Sequence, residues 1–364
     1  MTTIREAAGS LLVVGVSGTE LTGLERAWLK LIRPSGIILF RRNIADAGQT
    51  RRLLAEATEF SAAGSLRCVD VEGGTVDRLR DAVAPMPSAQ AVARTTKSAL
   101  MKQHGELIAK EVKGFGFNTT LAPVLDLALP DSAGVMGTRS AATTAAGVTE
   151  YARAFLAGLA GQGVVGCGKH FPGLGGGTKD SHLETPAIER SWKDIWDEDL
   201  GPYRELVRAL PMVMVTHAAY PRTKGGELPA TASAFWVTTV LQKRLGYRGL
   251  IFSDDLEMGG ILKFMPMEEA AVAALRAGMH MLEICHSPEL ILRCYEALIS
   301  EAERSVAFRR LLLERARTAG RLRRKRFGEM GRELTARQLE SLRDRVLRFG
   351  ATVEAAQGAP EART

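Results

Sequence analysis

Four stretches of the 364-residue chain concentrate side chains that can do chemistry. GKHFPGLGGGTKDSHLETP, residues 168–186, holds Lys169 and His170, then a glycine run, then Asp180 and His182. DVEGGTVDR, residues 70–78, opens on Asp70. GLIFSDD, residues 249–255, ends in Asp254 and Asp255, and MVMVTH ends at His217. Asp126 and Arg139 follow a fourth apolar run. Lysine is almost never fully buried without a partner, so Lys169 beside His170 at the end of an apolar run reads as an active-site pair. The glycines invite a phosphate-cradling reading, and spacing rejects it. Counting from Gly173, Thr178 stands where a Walker loop needs glycine and Asp180 where it needs Ser or Thr. Asp70 as a buried structural carboxylate and His217 as a satisfied core histidine stay open on the residues alone. His104 and His286 join no constellation, and His280 opens its strand, where structure is the expected role.

The elements that must position these groups alternate. Eight short apolar runs read as strands: 11–16, 36–40, 66–71, 117–124, 164–170, 212–217, 249–255 and 280–285. Segments of helical period lie between them, among them 22–32, 49–60, 98–115, 145–162 and 268–278. Gly116, Gly163, Gly246 and Gly278 sit where helices should stop. Eight strand–helix units predict a (β/α)8 TIM-type barrel, with additional C-terminal helices from about residue 288. An open doubly wound sheet would carry a GxGxxG after an early strand, and none follows the first three. In a barrel, chemistry gathers at the strand C-terminal ends, which is where Asp70, Lys169, His170, His217 and Asp254 fall. The expected organisation is one catalytic domain over 1–350 and a disordered tail over 351–364.

Composition excludes several classes. Apolar residues make up 46% and charged residues 24%, which is globular. The net charge of +7 is carried largely by a C-terminal run broken by acidic and apolar residues at helical spacing. That reads as a solvated helix face and implies no nucleic-acid partner. The four cysteines lack CxxC spacing, so neither a zinc site nor a disulfide framework is expected. No metal or cofactor is implied. No stretch is long enough to span a bilayer, and the N-terminus lacks a signal-peptide pattern, so a cytoplasmic protein is expected.

At this point several motifs in order resemble glycoside hydrolase family 3, nearest its single-domain β-N-acetylglucosaminidases. KHFPGLGGGTKDSH is similar to KHFPGHG followed four residues later by DSH, and DVEGGTVDR to DQEGGRVQR. FGFNTTLAPVLDL, MVMVTHAAYP and GYRGLIFSDDLEM resemble further elements, and the likeness covers roughly residues 8–290. The resemblance implies a retaining hydrolase that removes terminal β-linked N-acetylglucosamine, in cell-wall recycling. It implies Asp254 as nucleophile and Asp180 with His182 as an acid/base dyad. It implies Asp70, Arg139, Lys169 and His170 as sugar ligands, and His217 is grouped with them. Leu174 stands where the second histidine of KHFPGHG belongs, Gly176 and Gly177 replace Asp-Thr, Thr75 replaces Arg, and His280 replaces Asp. The extra glycines are expected to loosen the dyad loop. A phosphorylase acting on β-glucosides or β-N-acetylglucosaminides, a sugar-binding homologue without activity, and a metal-dependent hydrolase using His170, His182, His217 and Asp254 are the competing outcomes. The last lacks the HxH that such enzymes carry on strand 1.

Overall fold

A computed structural model describes residues 2–62, 64–177 and 185–358. Asp180 and His182 therefore lie outside the described residues.

Among the described residues ten strands form: β1 (Leu12–Val14), β2 (Gly36–Leu39), β3 (Leu66–Val69), β4 (Val71–Gly73), β5 (Val76–Asp77), β6 (Thr119–Thr120), β7 (Val165–Phe171), β8 (Met212–Val215), β9 (Leu250–Asp255) and β10 (Met281–Ile284). Eight of them close a parallel barrel in the order β1-β10-β9-β8-β7-β6-β3-β2. Each coincides with an expected strand. The apolar runs are continuous rather than alternating because both faces of a parallel barrel strand are buried. β1, β2, β3, β8 and β10 are buried at every residue.

The expected helices also form, at Gly23–Ile32, Ala47–Ala57, Ser98–Gly114, Ala145–Gly161 and Met267–Ala277. Gly116, Gly163, Gly246 and Gly278 all take positive φ, as residues after a helix end must when the chain reverses. Three more helices follow β10: Pro288–Arg304, Val306–Arg326 and Ala336–Gly358. The last extends beyond the boundary expected at 350. Its reason is apolar spacing: Leu342, Val346, Phe349 and Val353 recur at helical period and are all buried.

The hairpin β4–β5 was not foreseen as structure. Gly73 (φ +88°) and Gly74 (φ +66°) turn it, in conformations that side chains rarely adopt. A Cβ on Gly73 would also lie 2.1 Å from the Pro87 carbonyl oxygen. Glu72, in β4 just before this turn, is buried.

Candidate active site

The strand ends deliver their polar groups to one cavity of about 500 Å³, lined among others by Asp70, Arg139, Lys169, His170, Asp254 and Glu283. Asp70 follows directly on β3, β7 carries Lys169 and His170, and β9 carries Asp254 and Asp255. Arg139 arrives from the turn Gly137–Arg139 in the long connection after β6.

An ion cluster forms one wall. Lys169 Nζ donates to Asp70 Oδ1 at 2.9 Å and sits 2.7 Å from Glu72 Oε1. Arg139 grips Glu72 with two parallel bonds of 2.8 Å each. Burial opposes the charged Lys169, but Asp70 and Glu72 outweigh it and raise the ammonium above its ordinary range. Burial likewise works to raise Glu72, yet Arg139 and Lys169 hold its carboxyl well below the usual range. Arg78 adds a longer ion pair to Asp70, at 3.9 Å. Glu72 was visible in DVEGG but carried no expected role; only the fold shows that it joins Lys169 to Arg139. A glutamate beside two turn glycines was the available signal.

Asp126 anchors the neighbouring wall. It is 1% exposed, and its Oδ2 lies 2.7 Å from His170 Nδ1. The backbone N–H groups of His170 and Leu174 also donate to it, Leu174 at 2.7 Å. A histidine held at Nδ1 by a carboxylate has its tautomer and ring plane fixed, leaving Nε2 for another partner.

The start of the glycine loop is pinned, while the part carrying Asp180 and His182, expected to be loose, lies outside the described residues. Leu174 is buried, Tyr220 Oη donates to the Gly173 carbonyl at 2.8 Å, and Gly177 N–H closes a turn on Leu174 O at 2.9 Å. The glycines at 173 and 175 serve close approach, since a Cβ would lie 2.8 Å from Asp199 Cβ and from Leu127 O respectively. This finding extends only to Gly177.

Asp254 lines the cavity, and its Oδ1 accepts the Asp255 N–H at 3.0 Å. Burial, reinforced by Glu257, pushes the Asp255 carboxyl up to about 7. His217 is fully buried. Its Nδ1 lies 2.9 Å from Thr231 Oγ1 and its Nε2 2.9 Å from the Asp255 carbonyl. With protein groups at both nitrogens, it braces the end of β9. His280 is buried as expected, its ring pushed down to about 3 by burial and then by Arg315.

Among the described residues, Asp255, Glu257 and His286 bring ligand atoms within 4.8 Å of one another, close enough to hold a cation. Glu257 is already committed, however. The backbone N–H groups of Cys285, His286 and Ser287 all donate to it.

A closed parallel barrel gathers carboxylates, a basic-acidic ion cluster and an oriented histidine at the strand C-terminal ends, the face where barrel enzymes carry their active sites. Residues 3–312 match the glycosyl hydrolase family 3 N-terminal domain, and the chain belongs to that family. It is 35% identical over 279 residues to a beta-hexosaminidase of Idiomarina loihiensis, covering 76% of this chain and 83% of that one. A beta-hexosaminidase of Thioalkalivibrio sulfidiphilus is 36% identical over 299 residues, covering 80% and 85%. Among solved structures, a family 3 β-N-acetylglucosaminidase from Paenibacillus sp. superposes with a TM-score of 0.85 at 29% identity, over 96% of this chain and 69% of that one. NagZ from Neisseria gonorrhoeae, solved with a zinc ion, superposes with a TM-score of 0.73 at 27% identity, over 96% and 97%. The chain is thus a glycoside hydrolase by family.

Proposed function

We propose that this chain is a retaining β-N-acetylhexosaminidase that removes terminal β-linked N-acetylglucosamine. The observation that carries the reading is Asp254 sharing one cavity with Asp70, Arg139, Lys169 and His170. The relatives named beta-hexosaminidase support the choice of sugar.

In this reading Asp254 attacks the anomeric carbon as the glycosidic C–O bond breaks. The departing oxygen takes a proton from His182. A water then attacks the same carbon from the other side, gives its proton to His182 and releases Asp254. Two inversions give net retention. Histidine suits the acid/base role because it titrates near neutrality, and Asp180 two residues before it stabilises the transient imidazolium. Asp70, Lys169, Arg139 and His170 hold the sugar hydroxyls, Lys169 and Arg139 through donors that Glu72 fixes in place. Asp126 orients His170.

The natural substrate in this reading is a cell-wall fragment, and the place of action the cytoplasm. No helix among the described residues is long and apolar enough to cross a membrane. The test is turnover of an aryl N-acetyl-β-glucosaminide by wild type and Asp254→Asn, with and without phosphate. Release of free N-acetylglucosamine by wild type alone is expected. A sugar 1-phosphate as main product, or full activity in Asp254→Asn, would overturn the mechanism.

A further inference from the structure

We propose that Glu283 is a sugar-reading residue on the floor of the cavity, its carboxyl donating a hydrogen bond to an oxygen of the bound sugar. The inference rests on the glycosidase reading and names a specificity residue for it.

Glu283 interrupts an otherwise apolar strand, HMLEIC, at a position where β10 pairs with Val13 of β1 and Asp255 of β9. Its side chain turns into the barrel. It acts electrostatically on both Cys68 of β3 and Cys167 of β7, on the opposite side of the ring of strands. The residue is 3% exposed yet lines the cavity that holds Asp70 and Asp254. Oε1 accepts a 3.2 Å bond from Cys285 Sγ, while Oε2 is buried with no partner among the described residues.

Lys169, Arg139 and His170 Nδ1 each already bond a protein carboxylate. For Glu283 the neighbouring charges that weigh most are all negative. Burial, then Asp255, Asp70 and Asp254, all push its carboxyl up, so it holds its proton. A neutral carboxyl is a donor as well as an acceptor, whereas an ionised one only accepts. An unpaired polar group in an apolar strand is unfavourable unless something bonds it, and a ligand oxygen at the cavity floor would do so.

The test compares Glu283→Leu and Glu283→Gln on an aryl N-acetyl-β-glucosaminide and its 3-, 4- and 6-deoxy analogues. Wild type should disfavour at least one analogue by roughly 10-fold or more in kcat/KM. Glu283→Leu should lose a similar factor on the parent sugar and discriminate least against that same analogue, the coupling expected of partners in contact. Glu283→Gln keeps a donor and should stay within about threefold of wild type. An unchanged Glu283→Leu, or a loss spread evenly over parent and analogues, overturns the inference. If Glu283→Leu does not fold, Glu283→Met replaces it with the same criteria. A wild type inert on the glycoside overturns the glycosidase reading and this one together. An active wild type with an indifferent Glu283→Leu overturns this one alone.

Discussion

Glu72, in the ion cluster, and Asp255, at the cavity wall, should respond to pH in opposite senses. Glu72 is held below its ordinary value of 4.5 by Arg139 and Lys169. A depressed carboxyl stabilises the fold above the unfolded value, and that contribution is lost as pH falls through the folded one. Glu72→Gln leaves two buried cations facing a neutral amide. It should destabilise the fold by about 3–5 kcal/mol in urea unfolding at pH 7. Asp255 lies on the other side of the ledger, raised from 3.8 to about 7. Its native form keeps a proton that the unfolded chain has released, so stability falls as pH rises from about 4 to about 7. Asp255→Asn should flatten that limb in thermal melts across pH and raise the midpoint at pH 8 relative to wild type. Glu283 titrates in the same sense, so the slope shrinks rather than vanishes. An Asp255→Asn protein with the wild-type slope would show that the raised carboxyl is elsewhere. Asp70, Lys169, His170 and Asp254 were legible because polar types at the ends of apolar runs stand out, and Arg139 only through the family resemblance. Glu72 and Asp126 could be seen in the sequence but given no role, because what a residue holds in place is defined only once the fold brings the two together.

The strands and helices were legible for a physical reason: apolar periodicity encodes which face is buried, and burial is what a barrel demands of its elements. β4 and β5, three and two residues long, carry too little period to read, and their hairpin is made by Gly73 and Gly74 rather than by apolar pattern. Glycine also hides packing. Helices Ser98–Gly114 and Ala145–Gly161 cross where Gly105 meets the Phe155 carbonyl and Gly158 meets that of Lys102. A Cβ at Gly105 would lie 2.2 Å from Phe155 O, and one at Gly158 2.2 Å from Lys102 O. Alanine normally favours a helix interior over glycine, by roughly 1 kcal/mol. Here the backbones would have to part. Gly105→Ala should therefore lower stability by about 1–3 kcal/mol, the usual penalty of overpacking, measured by urea unfolding. A stabilised Gly105→Ala would mean the two helices separate without loss.

Across the whole molecule, the helix Ala336–Gly358 lies outside the 3–312 family match yet connects to the site through side-chain contacts. Phe349 stacks on His104 with ring centroids 5.8 Å apart. The His104 Nδ1 meets Tyr151 Oη at 3.0 Å, and its ring packs beside Gly73 of the turn that presents Glu72. Burial pushes His104 down to about 3, so this link stays neutral over the working pH range. The basic helix Val306–Arg326, expected as a solvated face, has only Phe308, Leu312, Ala316, Ala319, Gly320 and Arg323 buried. The final helix adds the apolar cover. Phe349 is 2% exposed, and truncating such a residue to alanine removes about 3–5 kcal/mol. That is a large share of the 5–15 kcal/mol by which domains are stable. Phe349→Ala should thus shift the urea midpoint strongly downward. Its kcat/KM at low temperature should stay within about threefold of wild type, because no residue lining the cavity lies beyond His286. A melting shift with preserved turnover separates support of the barrel from chemistry. Lost turnover in protein still folded at that temperature would instead show that the contact through His104 to Gly73 sets the position of Glu72.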